Sequence, residues 1–544
     1  MNKTKIILIA ILTVSFLVRF AGINYGLPLW VVPDEPGSVF GALKMMELKT
    51  LIPANHIGEF LNVLYYPPFI SYLYIIPFSI LLGFKFLFAN IPAADFKNLA
   101  IIDLSWFFII ARFFSVIIGT ITVWLVYKIS KNIFKKDVSA LLSAGFLSLA
   151  LLHVSFSHWT RHWVWATFLL TLIIYFLSRQ DFSPKKKYLW ASLVAGIGMG
   201  INYQVGLSTV FMLFWFFFYD KLSLRKTLKE RWPYAAIGIF LGLFILTIYV
   251  YPATTGARDL FADGKISFLD GFIFYFKNLL KTEPAFLFFT IVGFITSFIF
   301  QKKYFWNISF FSLFYIALFD LIYLNNGRYV LMLYPLFAIT AGYGIQKLWE
   351  ISPAKTKPFI FSAVFVTFVF MGANTLKFDY LLIKNDTRKQ VLDWAILNIP
   401  EGSKIVVAAP LTRFPSTPEA IKEQESIDAF SLRKIDRAEQ NIGQKYRQGK
   451  KFHALNLYTV NNSWFEENLE KHMKNGNYQY FVFSPTLLER KNISPALYRQ
   501  AETIKIFNGF NDEKMDMVED NGGGFKNIYN LKNSGPTIVV KKLY

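Results

Sequence analysis

The sequence predicts a helical polytopic membrane protein, with about eleven transmembrane helices followed by a soluble C-terminal α/β domain. Of its 544 residues, 54% are hydrophobic, 18% are aromatic and only 17% are charged, and the mean hydropathy is +0.38. Long apolar runs fill residues 1–378, whereas charged residues become frequent in 379–544. This composition excludes an ordinary soluble enzyme.

The first apolar run, residues 6–25, begins like a signal peptide after Lys3 and Lys5. It continues through Arg19 to Tyr25 without a small-residue cleavage site. We therefore expect a retained first span.

Ten further runs are long enough, or nearly so, to cross about 30 Å of hydrocarbon. They lie at 104–128, 138–156, 163–178, 188–202, 205–219, 233–251, 284–300, 304–323, 329–348 and 358–377. The shorter runs require tilting, or extension by Trp and Tyr at the membrane interface.

The run 68–88 is also apolar, but charge parity argues against a crossing. If it stays on the external side, the loops rich in Lys and Arg all fall inside, as the positive-inside bias requires. These loops are Lys128–Lys136, Arg179–Lys187, Lys221–Arg231, Lys302–Lys303 and Lys347–Lys357. We expect an interfacial helix at 68–88, within a first external loop 26–103 of the membrane domain 1–378.

Residues 379–544 are predicted to form an extracytoplasmic α/β domain. A helical pattern opens at Asp386 and stops at Pro400. Short β runs follow at Lys404–Ala409, Phe452–Tyr458, Tyr478–Phe483 and Thr537–Lys542, with helical patterns near Leu432–Tyr446 and Ser463–Lys474.

The net charge of +21 lies largely in loops between spans, so it does not indicate nucleic acid as a partner. Zero cysteines exclude disulfides and thiolate nucleophiles, and six scattered histidines without an HExxH pattern argue against a dedicated metal cage. The sequence therefore predicts no cofactor, and it offers no support for a divalent metal.

Four polar segments are predicted to converge on the external face. They are Pro33-Asp34-Glu35-Pro36, Tyr65-Tyr66-Pro67-Pro68, Ser157-His158-Trp159-Thr160-Arg161-His162-Trp163 and Asn325-Asn326-Gly327-Arg328-Tyr329. Each has an ordinary structural interpretation: a solvated turn, a helix start, interface anchoring by Trp, and a snorkelling arginine. Together they offer paired carboxylates that can act as a general base, and two arginines that can bind a phosphate.

A carboxylate and a phosphate site at a membrane surface suit a reaction on a lipid phosphate. We expect a polyprenyl-phosphate-linked sugar as the donor, with its tail in the lipid bilayer, its phosphate on the arginines and its sugar at the carboxylate.

The order of these segments resembles the GT-C membrane glycosyltransferases, in particular glycosyltransferase family 39, the dolichyl-phosphate-mannose protein mannosyltransferase type, which is also similar to lipid A aminoarabinose transferases. The resemblance is carried by Arg19, Gly22, Pro28, Asp34-Glu35, Tyr66-Pro67-Pro68, Ser157, Arg161, Arg328-Tyr329, Pro335, Asp386-Thr387-Arg388, Trp394 and Pro400 to Ile405.

The resemblance implies that Asp34 is the catalytic base, that Glu35 supports Asp34 or the acceptor, and that the sugar is transferred with inversion. It also implies that Arg161 and Arg328-Tyr329 contact the donor. Family members often carry an acidic residue shortly after the arginine that matches Arg161, whereas this chain continues with His162. This departure lowers the expectation of a metal and makes His158 or His162 a candidate contact to the donor.

The predicted enzyme is a multi-pass cell-membrane protein that transfers a hexose or pentose to a hydroxyl or amine of a glycan, lipid or protein. The alternatives are a transporter, a lipid-linked polysaccharide ligase, or a scaffold. A transporter predicts charges near span centres, where Arg112 and Asp320 are the main exceptions, and a repeated half, which the sequence does not show.

Overall fold

The computed structural model describes residues 3–543 except 62, 65, 90, 252–267, 323–325, 443–448, 461, 491–500 and 519–522. Tyr65 and Asn325 of the predicted polar segments lie outside the described residues.

The membrane region is built from helices. They are α1 (Lys3–Phe20), α2 (Pro36–Leu48), α3 (Ile57–Phe60), α4 (Phe69–Ala89), α5 (Ala93–Ile102), α6 (Ser105–Phe134), α7 (Asp137–Leu149), α8 (Leu151–Ser157), α9 (His162–Ser178), α10 (Pro184–Met199), α11 (Ser208–Phe214), α12 (Leu224–Thr227), α13 (Trp232–Val250), α14 (Phe268–Thr282), α15 (Pro284–Phe300), α16 (Lys302–Ile322), α17 (Tyr334–Ile351) and α18 (Lys357–Lys384).

Among the described residues, five helical segments are long and apolar enough to cross a membrane, or six if α7 and α8 form one bent span. Shorter apolar helices at His162–Ser178, Tyr203–Tyr219 and Pro284–Phe300 accompany them. The helical membrane fold predicted from the sequence is thus confirmed, while the count of eleven crossings stays a prediction.

The predicted span 138–156 is broken rather than continuous, because α7 and α8 meet at an angle of 61°. The Arg19 guanidinium from α1 donates to the carbonyl oxygens of Ser148 at 3.0 Å and Leu147 at 3.1 Å, next to the break at Ala150. Arg19 therefore satisfies carbonyl groups at the end of α7 that a continuous helix would bond internally.

The two ends of the helical bundle are named by what lies at each. At one end, which we call the basic face, Lys136 pairs with Glu350 at 3.3 Å and Lys187 with Asp220 at 3.1 Å. The C-terminal domain lies at the other end, which we call the domain face.

The two ends of α4 contact different elements. Its first amide, Phe69, donates to Gly200 at the end of α10 over 2.9 Å, while Phe86 near its end contacts Phe96 of α5 at 5.2 Å between ring centroids. Helix α4 is long and apolar enough to span, so its interfacial placement stays a prediction.

The C-terminal region contains helices and a five-stranded sheet. The helices are α19 (Thr387–Asn398), α20 (Pro418–Ile427), α21 (Lys434–Ile442), α22 (Asn462–Asn475), α23 (Pro485–Arg490) and α24 (Gly523–Lys526), and the strands are β1 (Lys404–Ala408), β2 (His453–Asn456), β3 (Tyr480–Phe483), β4 (Glu502–Phe507) and β5 (Ile538–Lys542).

The strand order is β2-β1-β3-β5-β4, with β1 parallel to β2 and β3, and β5 antiparallel to β3 and β4. Four strands match the predicted β runs, but β4 was not predicted. It lies at the sheet edge and most of its side chains are exposed, so it lacks the buried apolar pattern of the others. Of the predicted helix near 432–446, residues 443–446 lie outside the described residues.

Candidate active site

The segment before α2 turns sharply at Asp34, where φ is 60° in the left-handed region. Asp tolerates this conformation better than most residues. The turn directs two adjacent carboxylates differently: the Asp34 side chain is 40% exposed, whereas that of Glu35 is fully buried.

Glu35 is held by Arg112 of α6 in a bidentate ion pair. The guanidinium Nε donates to Oε1 at 2.8 Å and Nη2 to Oε2 at 2.7 Å. Oε1 also accepts a hydrogen bond from the backbone N–H of Thr160 at 3.1 Å, and the Thr160 hydroxyl donates to the Glu35 carbonyl at 2.9 Å. Glu35 therefore joins the first loop to α6 and to the turn before α9. Glu35 is fully buried by these contacts, which supports a role in positioning Asp34 rather than direct contact with an acceptor.

Arg161, the residue before α9, faces Asp34. Its Nη2 donates to Asp34 Oδ2 at 3.0 Å, and the residue is only 2% exposed. Within the described part of the chain, its Nε and Nη1 have no hydrogen-bond partner. A buried guanidinium with free donors is costly, so this group is prepared to bind an anion.

The predicted aromatic and histidine residues complete the same pocket. The rings of Tyr66 and His162 lie 3.7 Å apart. Burial raises the pKa of Tyr66, and the nearby Asp34 carboxylate raises it further. The phenol thus stays protonated and can donate a hydrogen bond.

Arg328 and Tyr329 approach from the 3₁₀ helix Gly327–Leu333. The Arg328 guanidinium lies 5.5 Å from the Trp163 ring, and the Tyr329 ring lies 5.4 Å from the same residue. The charges of Arg161 and Arg328 both act on the Tyr66 phenol. The structure therefore brings together Asp34, Tyr66, Arg161, His162, Arg328 and Tyr329.

His158 is directed away from this group. Its Nδ1 lies 2.9 Å from the Val154 carbonyl and its Nε2 lies 3.0 Å from the Ala21 carbonyl. Both ring nitrogens thus face backbone carbonyl oxygens rather than the Asp34 carboxylate and Arg161. Of the two histidines considered as donor contacts, the geometry favours His162.

The pocket itself is small, about 30 Å³, and Asp34, Tyr66, Arg161 and His162 are among its lining residues. This volume suits a water molecule rather than a sugar, so a substrate requires the lining to open.

Ser38 and Thr160 also line the pocket. Thr160 was within a predicted segment, but neither residue was singled out, because an isolated hydroxyl carries no distinctive sequence pattern. Within the described residues, no cluster of three His, Asp or Glu side chains is arranged to hold a metal ion.

Comparisons with known proteins give a family match and similar solved structures. A family model described as dolichyl-phosphate-mannose-protein mannosyltransferase matches residues 108–249, which include Arg161 and His162. A comparison with curated proteins finds no match.

Two solved structures are similar over nearly the whole chain, at low identity. The structure of ArnT from Cupriavidus metallidurans bound to undecaprenyl phosphate shares 12% identity at a TM-score of 0.46, over 100% of this chain and 99% of that chain. The arabinofuranosyltransferase AftD from Mycobacteria shares 10% identity at a TM-score of 0.37, over 98% of this chain and 40% of that chain. The family match supports the resemblance seen in the sequence and indicates a glycosyltransferase: residues 108–249, about a quarter of the chain, are similar to the dolichyl-phosphate-mannose-protein mannosyltransferases.

Proposed function

We propose that the protein transfers a sugar from a polyprenyl-phosphate donor to a hydroxyl or amine of an acceptor, with inversion, on the extracytoplasmic side of the cell membrane. The observation that carries the proposal is the pairing of Asp34 with Arg161 in one pocket. A half-exposed carboxylate touches a buried guanidinium whose other donors are unpartnered within the described residues.

The donor phosphate competes with Asp34 for the guanidinium. Arg161 offers a planar fork that matches phosphate oxygens, and Arg328 adds a second positive charge near Tyr66. Binding of the phosphate releases the Asp34 carboxylate toward the acceptor. The description of the matched family, which names a dolichyl-phosphate sugar, supports this class of donor.

In the transfer step, the acceptor oxygen or nitrogen forms a bond to the anomeric carbon while the bond from that carbon to the phosphate oxygen breaks. The electron pair of the broken bond remains on the phosphate, where the arginines stabilise the charge. The proton of the acceptor moves to Asp34. One displacement inverts the configuration at the anomeric carbon.

The test has two parts. Mass spectrometry of lipids that co-purify with the protein should find a polyprenyl-phosphate hexose or pentose. Arg161→Ala should raise the donor KM roughly 30-fold or more, because losing one guanidinium from a desolvated phosphate site costs about 2–5 kcal/mol. Arg161→Lys should recover only part, since a point charge does not reproduce the fork.

Arg179 provides the matched control, because it follows the other end of α9 and pairs with the exposed Asp181. Arg179→Ala should leave the donor KM at its wild-type value. If Arg161→Ala also keeps the wild-type KM, Arg161 does not bind the donor phosphate.

A further inference from the structure

A second and larger opening lies between the first loop and the C-terminal domain. This interdomain cleft has a volume of about 380 Å³, which falls within the usual range of small-molecule sites, about 300–1,000 Å³. Trp30 and Ile102 line it from the membrane side, and Arg433 and Lys451 line it from the domain. The cleft is therefore formed only when the domain packs on the loop.

Three cations, Arg413, Arg433 and Lys451, and two carboxylates, Asp103 and Glu439, line the cleft, so its lining carries one positive charge in excess. Arg413 is satisfied by Asp436 at 3.0 Å and Glu439 at 3.3 Å. Within the described residues, no carboxylate lies within ion-pair distance of Arg433 or Lys451. Burial lowers the pKa of Arg433 and the charge of Arg413 lowers it further, while the nearby Asp436 carboxylate opposes this shift.

The cleft is close to the candidate base along the chain. Trp30 is four residues before Asp34, and four extended residues span at most about 14 Å. A molecule in the cleft therefore lies within reach of the pocket. The apolar lining of Trp30 and Ile102 suits the face of a sugar ring, and the two cations suit an acid group on it.

We propose that the interdomain cleft binds an acidic sugar of the acceptor, one that carries a phosphate or carboxylate group, through Arg433 and Lys451. The assignment to the acceptor rests on the proposed transfer reaction. Binding of an anion in the cleft does not rest on that reaction. The anion site and the proposed reaction can therefore be disproved separately.

The experiment measures binding of glucose 6-phosphate, glucuronate and neutral glucose to the full chain in detergent, by ligand-observed NMR. The two acidic sugars should bind, and glucose should bind at least tenfold more weakly. Arg433→Gln should weaken binding of the acidic sugars about tenfold or more, and Arg433→Lys should restore part of it. The matched control is Arg437→Gln, an exposed arginine of α21, which should bind like the wild type.

Two further experiments are needed. One identifies the source of the anion, and the other distinguishes the anion site from the proposed transfer reaction. In nanodiscs, competition by phosphatidylglycerol against glucose 6-phosphate would identify a lipid headgroup as a source of the anion, and its absence would identify a soluble glycan. Asp34→Asn should bind the acidic sugars as the wild type does, whether or not it is active. Equal binding of glucose and glucose 6-phosphate, or wild-type binding by a folded Arg433→Gln variant, overturns the proposal.

Discussion

At the scale of single residues, the adjacent carboxylates Asp34 and Glu35 lie in different environments. The sequence predicted Asp34 and Glu35 as one acidic pair, and the structure places one at the pocket and the other against Arg112. The partners of Glu35 are 77 and 125 residues away along the chain. No local pattern reveals such pairing, so the different roles expected for Asp34 and Glu35 came from the family resemblance, and the partners of Glu35 could not be predicted.

For Asp34, we expect Asp34→Asn to reduce turnover by roughly 10²–10⁴-fold, because it removes the base but keeps the size of the side chain. Asn also accepts the left-handed backbone, so folding should be retained. Asp34→Ala should lose activity and roughly 1–2 kcal/mol of stability as well. Turnover assays and thermal unfolding of the purified variants separate these effects. Wild-type turnover of Asp34→Asn would place the base elsewhere.

For the buried ion pair, removal of either partner leaves the other as an uncompensated buried charge. Glu35→Leu and Arg112→Met should each cost about 3–5 kcal/mol of stability, and the double variant should regain much of that loss. Thermal unfolding in detergent measures all three. A Glu35→Gln variant with wild-type stability but no turnover would instead assign Glu35 to the chemistry.

At the scale of elements, apolar length predicted the helices well and their interruptions poorly. The break between α7 and α8 contains neither proline nor glycine. Its residues Leu149-Ala150-Leu151 predict a continuous helix. The carbonyl groups next to this break are bonded by Arg19, more than 120 residues earlier in the chain, which no local pattern could predict. The interfacial placement of α4, which rests on charge parity, stays a prediction, because α4 is also long and apolar enough to span.

The contact between α15 and α17 depends on glycine. A Cβ on Gly344 would lie 2.6 Å from the Gly293 Cα, a backbone atom that cannot rotate away. Gly344→Ala should therefore destabilise the protein by about 1–3 kcal/mol. Gly242→Ala in α13 is the control, because within the described residues its Cβ would meet nothing within 4 Å. If both variants unfold at the same temperature, the helices do not pack this closely.

At the scale of the whole molecule, the positions of basic loops give a prediction of sidedness. The chain has no native cysteine, so single cysteines can be labelled selectively. Phe430, which is 99% exposed in the domain, and Lys185, which is exposed on the basic face, are suitable positions. An impermeant maleimide should label Phe430→Cys in intact cells and Lys185→Cys only after permeabilisation. If Lys185→Cys is labelled in intact cells and Phe430→Cys only after permeabilisation, the predicted orientation is wrong.

The hydrogen bonds between the first loop and the start of the domain have a consequence for recombination between relatives. Tyr25 donates to Asp386 at 2.7 Å, and Gly26 donates to Asn385 at 2.9 Å. These contacts lie just eight or nine residues before Asp34. The loop and the start of the domain must therefore match each other in sequence. A chimera that exchanges only 385–544 with a relative should assemble poorly. A chimera that also exchanges 23–34 keeps both sides of these contacts from one relative and should assemble.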